Sequence, residues 1–184
     1  GKPKTIQIAK NEMLASAAMT ASYFEFQPGQ TALLCLPVSY IAGKMMVVRA
    51  MLSRLNLICI DPSAHPIEAL SENLTIDFAP LIPMQVQHLT DSKSIKKILL
   101  GGAPIDTDLE RRLDTLKAEV YHGYGMTETL SHIAVRRVNG PNRSHTYQGL
   151  PGVRFTQDAE GCLIIDVPFL DAPVYTRDIV SLTG

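Results

Sequence analysis

Lys96-Lys97-Ile98-Leu99-Leu100-Gly101-Gly102-Ala103-Pro104-Ile105-Asp106 passes from strand to turn to helix start within one short stretch. Lys96 to Leu100 read as a strand, apolar from Ile98, and the paired glycines and proline break it. Asp106 is then a good N-cap for a helix to about Lys117. Ile105, Leu109, Leu113 and Leu116 fall on one face of that helix. Asp108 and Glu110 lie near its start and Lys117 near its end, as the helix dipole favours. Strand, short turn and helix in succession form the repeating unit of a parallel sheet covered by helices.

The same alternation extends outward. Residues 6–24, rich in Ala and Met, read as a helix that ends at Gln27-Pro28-Gly29-Gln30. Ala32-Leu33-Leu34-Cys35-Leu36, closed by Pro37, is a continuous apolar run expected of a strand buried on both faces. A helix over 41–54, a strand over 56–60, a weaker helix over 66–73 and a strand over 75–78 follow, then a helix over 80–88. Residues 119–121 form a brief strand leading into Gly123-Tyr124-Gly125-Met126-Thr127-Glu128. After Asn139-Gly140-Pro141-Asn142 the pattern changes to short strands at 153–156, 163–167 and 174–175. The expected organisation is an α/β core over 1–138 and a small β-rich portion over 139–184.

The 184 residues suffice for one domain or part of a larger one. Hydrophobic residues at 46% and charged residues at 19% argue against disorder, and a net charge of −1 gives no reason to expect a nucleic-acid partner. No apolar run reaches the roughly 18 residues of a membrane span, and no signal-peptide pattern opens the chain. Cys35, Cys59 and Cys162 lie far apart among aliphatic residues, which reads as reduced cysteine serving as a small core hydrophobe in the cytoplasm. The abrupt start at Gly1 and stop at Gly184 read as the ends of a fragment.

Ligands of parallel α/β sheets bind beyond the carboxyl ends of the strands. Two such ends here carry unusual residues, Gly101-Gly102-Ala103-Pro104 and Gly123 to Glu128. Paired glycines let a flat ligand approach the backbone. An aromatic ring between glycines, followed by a hydroxyl and a carboxylate, suits stacking on a base, bonding to a phosphate and holding Mg²⁺ through oxygen. Either segment alone is also compatible with an ordinary glycine-rich turn.

Tyr124-Gly125-Met126-Thr127-Glu128 resembles the signature of the adenylate-forming (AMP-binding) superfamily of acyl-CoA synthetases, peptide-synthetase adenylation domains and luciferases. Three further segments fall in the order that resemblance requires. Gly1-Lys2-Pro3-Lys4 is similar to the tail of the family's phosphate loop, and Gly101-Gly102-Ala103-Pro104 to its glycine turn beside the adenine and acyl pockets. Thr176-Arg177-Asp178 takes the place of Thr-Gly-Asp, whose aspartate holds the ribose. The resemblance implies that Tyr124 stacks on adenine within a pocket of Gly102, Ala103, Pro104, His122, Gly123 and Gly125. It further implies that Thr127 contacts the α-phosphate, Glu128 coordinates Mg²⁺, Asp178 binds ribose and Lys2 neighbours the triphosphate. Arg177 stands where the family has glycine, and His122 where many relatives have asparagine. Outside that motif, Glu128 reads as a solvated turn carboxylate, and Lys2 sits at a chain end.

Leu36-Pro37-Val38-Ser39-Tyr40-Ile41-Ala42-Gly43 is similar to the family's Pro-Leu-Phe-His-hydrophobic-Ser-Gly, with Tyr40 in the histidine's place, and the helix after it lines the acyl pocket in relatives. Within that helix Arg49 stands among Met45, Met46, Val47, Val48, Ala50 and Met51. A guanidinium in such surroundings needs an anion, reaches solvent along its stem, or bridges to an acidic neighbour. The run from Thr127 to His132 and the turn at Leu150-Pro151-Gly152-Val153 most resemble the o-succinylbenzoate–CoA ligases of menaquinone synthesis. That resemblance implies an aromatic dicarboxylate whose second carboxylate meets Arg49, with Ser131 and His132 facing the acid. Ser131 and His132 also read simply as the start of a strand.

The expected activity is therefore adenylation of a carboxylic acid by ATP with Mg²⁺, followed by transfer to coenzyme A. The resemblance places a catalytic lysine in a C-terminal lid domain missing here, so little turnover is expected of this chain alone. Loading of a carrier protein and a non-catalytic nucleotide-binding module are the competing expectations. A homo-oligomer stays open, and no membrane insertion is expected.

Overall fold

The computed structural model describes residues 6–71, 73–90 and 94–183. Helix α1 (Lys10–Phe24) precedes strand β1 (Thr31–Leu34), helix α2 (Ile41–Ser53), strand β2 (Asn56–Cys59) and a 3-10 turn (Pro66–Ala69). Then come β3 (Thr75–Leu81), the short α3 (Pro83–Val86), β4 (Ser94–Leu100), α4 (Thr107–Leu113), β5 (Glu119–Met126), β6 (Ser131–Arg137) and β7 (Gln148–Gly149). Strands β8 (Arg154–Gln157), β9 (Cys162–Asp166) and β10 (Val174–Ile179) close the chain.

Seven strands form one sheet in the order β2-β1-β3-β4-β5-β6-β7, and β10-β9-β8 form a second, antiparallel one. The first five strands of the large sheet pair in parallel, and β6 and β7 add antiparallel. Chain order reverses at β1: the path runs outward to the edge strand β2, then crosses back to β3. This is the switch point at which a crevice opens beyond the strands' carboxyl ends.

Period-two alternation sorts side chains between two cores. Ala32, Leu34, Phe78, Leu99 and Val135 pack with Phe24 of α1 and with Met46 and Ala50 of α2. Leu33, Cys35, Ile98, Leu100 and Val120 pack on the opposite face with Leu109 and Leu113 of α4, with Ile105 and Leu116 flanking them. The continuous apolar run through β1 is thus buried on both faces. Strand β2 lies at the sheet edge and is half exposed, so Cys59 is exposed; Cys162, at the start of β9, is half-buried, whereas Cys35 is a core residue.

Three further expectations shift. Pro80 lies inside β3 rather than at a helix start, and the helices expected over 66–73 and 80–88 shrink to single turns. Strand β1 pairs with β3 at Ala32–Phe78, so beyond Phe78 the missing N–H of Pro80 is tolerated beside β4. Asp106 caps α4 by accepting from Leu109 N at 2.7 Å, but the helix ends at Leu113. The buried amide of Asn139 donates to the carbonyls of Leu113, Leu116 and Ala118, and its oxygen accepts from Val120 N. One side chain thereby joins the last carbonyl of α4 and two carbonyls of the segment after it to β5. Finally, Gly123 to Met126 belong to β5 itself, extended by antiparallel pairing with β6.

Candidate active site

A cavity of about 540 Å³ opens at the carboxyl ends of the parallel strands. Leu36 and Pro37 beyond β1, Pro80 to Ile82 at the end of β3, Leu99 to Gly102 at the end of β4, and Gly123, Gly125 and Met126 of β5 each contribute a wall. The start of α2 and Tyr40 close one side, with Tyr40 70% exposed at the mouth. Thr127, Ser131, His132 and Arg49 supply its polar groups. The volume suits a small organic ligand, and a mostly apolar wall with few polar groups is the usual composition of such a site.

Close backbone approach shapes this wall. A Cβ on Gly125 would lie 2.0 Å from the carbonyl oxygen of Ser131, so β5 and β6 can meet here only at glycine. Gly102, with φ +82°, turns the chain out of β4 toward the cavity rim. The pairing of Tyr124 with Ala134 and of Gly125 with His132 leaves Ile133 as a bulge, which aims His132 under α1. The β5–β6 turn is closed by Thr129, whose hydroxyl accepts from Met126 N at 3.0 Å and lies 2.8 Å from Ser131 O. Leu130 holds a left-handed conformation, φ 63°, a strained geometry for a branched side chain.

Arg49 is the largest fully buried side chain, 2% exposed, on a stripe of α2 with Met45, Met46 and Ala50. No acidic partner meets it among the described residues. Its Nη2 donates to Ser131 Oγ at 2.5 Å, and its Nε has no partner at all. Burial pulls its pKa down to about 10, which still leaves it cationic at neutral pH. Ser131 Oγ in turn lies 3.1 Å from His132 Nδ1, and His132 Nε2 lies 3.4 Å from Thr20 Oγ1 of α1. Burial, and then the nearby charge of Arg49, hold His132 well below the ordinary 6.5, so the ring is neutral.

The opposite face of β5 carries a different set. Tyr124 donates its phenol proton to Asp178 Oδ2 at 2.5 Å, joining β5 to β10. Burial and the adjacent carboxylate both push the Tyr124 phenol above its ordinary 10. His122 places Nε2 3.0 Å from the carbonyl of Ala103 and Nδ1 2.6 Å from the hydroxyl of Tyr147. Burial first, and then the charge of Arg136, leave that ring below its ordinary basicity, although the Ala103 carbonyl and Glu110 pull the other way. Tyr147 also stands edge-on to Tyr124, 6.1 Å between centroids.

Of the residues singled out in the sequence, Gly102, Gly123, Gly125, Thr127, Tyr40, Arg49 and Ser131 share the cavity. Tyr124 and Asp178 meet behind it, with His122 and Ala103 linked beside them, and Pro104 follows on the same turn. Glu128 is exposed at the tip of the β5–β6 turn next to Thr127. Lys2, with the rest of Gly1 to Lys4, lies outside the described residues. Thr20 and Tyr147 were not singled out. Thr20 was detectable as a polar residue on the stripe of Ser16, Ala17, Thr20 and Phe24, the buried positions of α1; Tyr147 had no motif around it.

Among the described residues no group of three His, Cys, Asp or Glu side chains could hold a metal ion. Glu128 beside the Thr127 hydroxyl is a one-carboxylate donor set. That fits magnesium, which keeps its waters and takes other ligands from nucleotide phosphates, and does not fit an all-protein metal cage.

Residues 1–160 match the family described as AMP-binding enzyme. The chain belongs to that family. A solved structure, that of an acyl-CoA synthetase (AMP-forming)/AMP-acid ligase II-like protein from Dyadobacter fermentans, is 39% identical with a TM-score of 0.90, over all of this chain and 55% of its own. The 2-succinylbenzoate–CoA ligase of Haemophilus influenzae is 28% identical over 145 residues, 74% of this chain and 31% of its own length. That of Escherichia coli is 29% identical over 143 residues, 76% of this chain and 31% of its own. The chain thus spans about three-tenths of the length of these curated relatives. The o-succinylbenzoate coenzyme A synthetase of Bacillus subtilis, in complex with ATP and magnesium ion, shares the fold at a TM-score of 0.76 and 18% identity, over 94% of this chain and 40% of its own.

Proposed function

We propose that this chain is the acid- and nucleotide-binding core of an ATP-dependent carboxylate–CoA ligase whose acid is an aromatic dicarboxylate of the o-succinylbenzoate kind. Arg49 carries the proposal. A guanidinium 2% exposed, without an acidic partner among the described residues and lining an apolar cavity, lacks the counter-charge that buried cations require. A ligand bearing a second carboxylate supplies that charge, and the apolar walls accept its ring.

In the first half-reaction an oxygen of the reacting carboxylate bonds to the α-phosphorus of ATP and pyrophosphate leaves. In the second, the thiol of coenzyme A displaces AMP from the acyl-adenylate. Both reactants of the first step are anions, so the site must orient them in line and neutralise charge. Thr127, at the mouth between cavity and solvent, contacts the α-phosphate. Glu128 holds magnesium, which supplies charge neutralisation on the phosphates. The turn from Gly102 to Pro104, supported by His122, borders the adenine, with Tyr124 against the base and Asp178 on the ribose. Lys2 neighbours the triphosphate. Residues 1–138 form the α/β core of this machinery and 139–184 its β-rich flank.

Calorimetric titration of the chain with o-succinylbenzoate, benzoate and a fatty acid, each with and without ATP and Mg²⁺, tests the proposal. The expected order places o-succinylbenzoate tightest, with nucleotide binding dependent on Mg²⁺. A fatty acid binding tightest would overturn the choice of acid, and nucleotide binding indifferent to Mg²⁺ would overturn the enzyme assignment.

A further inference from the structure

Proton counting from Thr20 assigns one set of directions to the hydrogen bonds that run from Arg49 through Ser131 and His132 into α1. Thr20 has one hydroxyl proton, and it goes to the carbonyl of Ser16 at 3.1 Å, the helix back-bond open to threonine. Toward His132 Nε2, 3.4 Å away, Thr20 Oγ1 can therefore only accept. The proton of the neutral ring sits on Nε2, which leaves Nδ1 bare. Bare Nδ1, 3.1 Å from Ser131 Oγ, takes the serine's proton. Ser131 then presents lone pairs alone to Arg49 Nη2. The other tautomer would set the Nε2 lone pair against the Thr20 oxygen and leave a buried acceptor unmet.

We propose that His132 is the positioning residue of this acid site: as the Nε2–H tautomer it commits the Ser131 proton inward, so that the serine oxygen can only accept from Arg49 and the guanidinium is held for an incoming anion. The inference rests on the reading of Arg49 as receptor for the second carboxylate and adds to it. A serine free to rotate would offer its proton to the ligand or turn its dipole against the cation. With its proton committed, Ser131 anchors one Nη2–H, and the remaining guanidinium donors are left for the ligand. His132 touches the cavity wall but, in this role, acts through Ser131.

Two measurements on the full chain decide it. Long-range proton–nitrogen NMR of the ring nitrogens, with His132 assigned by the signal lost in His132→Asn, is expected to show a neutral Nε2–H ring from about pH 8 to about pH 6. A neutral Nδ1–H ring, or an imidazolium at about pH 6, overturns the proposal, and this readout needs no variant to retain binding. The second measurement is the ratio of affinities for o-succinylbenzoate and benzoate. His132→Leu, which removes the acceptor, is expected to cut that ratio about 10-fold or more, as loss of a hydrogen bond supporting a charged group does. His132→Asn, whose side-chain oxygen can stand near the position of Nδ1, is expected to recover most of it. Equal ratios in the parent and His132→Leu overturn the positioning role and leave the reading of Arg49 intact. Equal affinity of the parent chain for both acids overturns that reading, while the Nε2–H tautomer would still uphold the hold of the ring on Ser131.

Discussion

The phenol of Tyr124 and the carboxylate of Asp178 meet at 2.5 Å, although 54 positions separate them and they belong to different sheets. That hydrogen bond ties β5 to β10. It joins two residues that the family resemblance assigns to the base and the ribose. Arg177, in the place of the usual glycine, does not prevent it. The consequence is measurable in the phenol itself. Burial and the carboxylate both favour the protonated form, so Tyr124 is expected to ionise above the ordinary 10. In ultraviolet titration read as the difference from Tyr124→Phe, Asp178→Asn should lower that pKa while leaving the burial contribution. An unchanged value in Asp178→Asn would show that the two side chains do not meet in solution.

Arg49 is expected to cost the ligand-free chain stability. Burying a charge without a counter-charge is unfavourable, and replacing buried ionic groups by apolar side chains of similar volume is commonly neutral or stabilising by about 1–4 kcal/mol. Arg49→Met should therefore raise the urea midpoint of the chain while weakening dicarboxylate binding. A clearly lower midpoint would show that Arg49 has a structural partner.

Gly125 tests the close contact of β5 and β6. With a Cβ 2.0 Å from the Ser131 oxygen, Gly125→Ala must push the strands apart, at a cost of about 1–3 kcal/mol for overpacking. It should also displace Ser131 and lower dicarboxylate affinity. Gly101, where nothing lies within 4 Å of an added Cβ, is the control: Gly101→Ala should change stability little.

Acid should weaken the fold in two windows. His132 and His122 are both held below 6.5 in the folded chain, so the unfolded chain takes up protons first as pH falls through 6.5. Their contribution is complete above that pH and is lost below it, at up to about 1.4 kcal/mol per pH unit for each proton. Glu110 and Asp77 contribute lower down. Burial alone would raise their pKa values, but Arg136 and Arg143 around Glu110, and Lys96 with the Thr31 N–H around Asp77, leave both below the ordinary carboxylate values. That stability is lost as pH falls through the depressed values. Denaturant midpoints from about pH 7.5 to about pH 5 should fall in the parent and fall less in His132→Leu. Parallel curves would show that His132 titrates normally.

Much of this was legible in the residues, for reasons that differ along the chain. The strand, glycine turn and capped helix at Ile98 to Leu113 follow from local rules, and the continuous apolar run of β1 follows from burial on both faces. The reach of β3 through Pro80 and the extension of β5 through Gly123 to Met126 depend on which strand lies alongside, and no local pattern carries that. The same holds at the site. Gly102, Thr127 and Arg49 were marked by motif or by misplaced charge. That Ser131 touches Arg49 across 82 positions, and that Thr20 orients His132 across 112, is tertiary information. A bulge at Ile133 creates it, and a bulge leaves little trace in a sequence.

The most direct test of the central claim combines the two partners it joins. Affinities of the parent and Arg49→Met for o-succinylbenzoate and for benzoate, measured by calorimetry, give the coupling between the guanidinium and the second carboxylate. The account predicts that Arg49→Met weakens o-succinylbenzoate by about 100-fold or more, the scale of breaking a buried charge pair, and leaves benzoate nearly unchanged. Equal losses for both acids, or none for either, would contradict it.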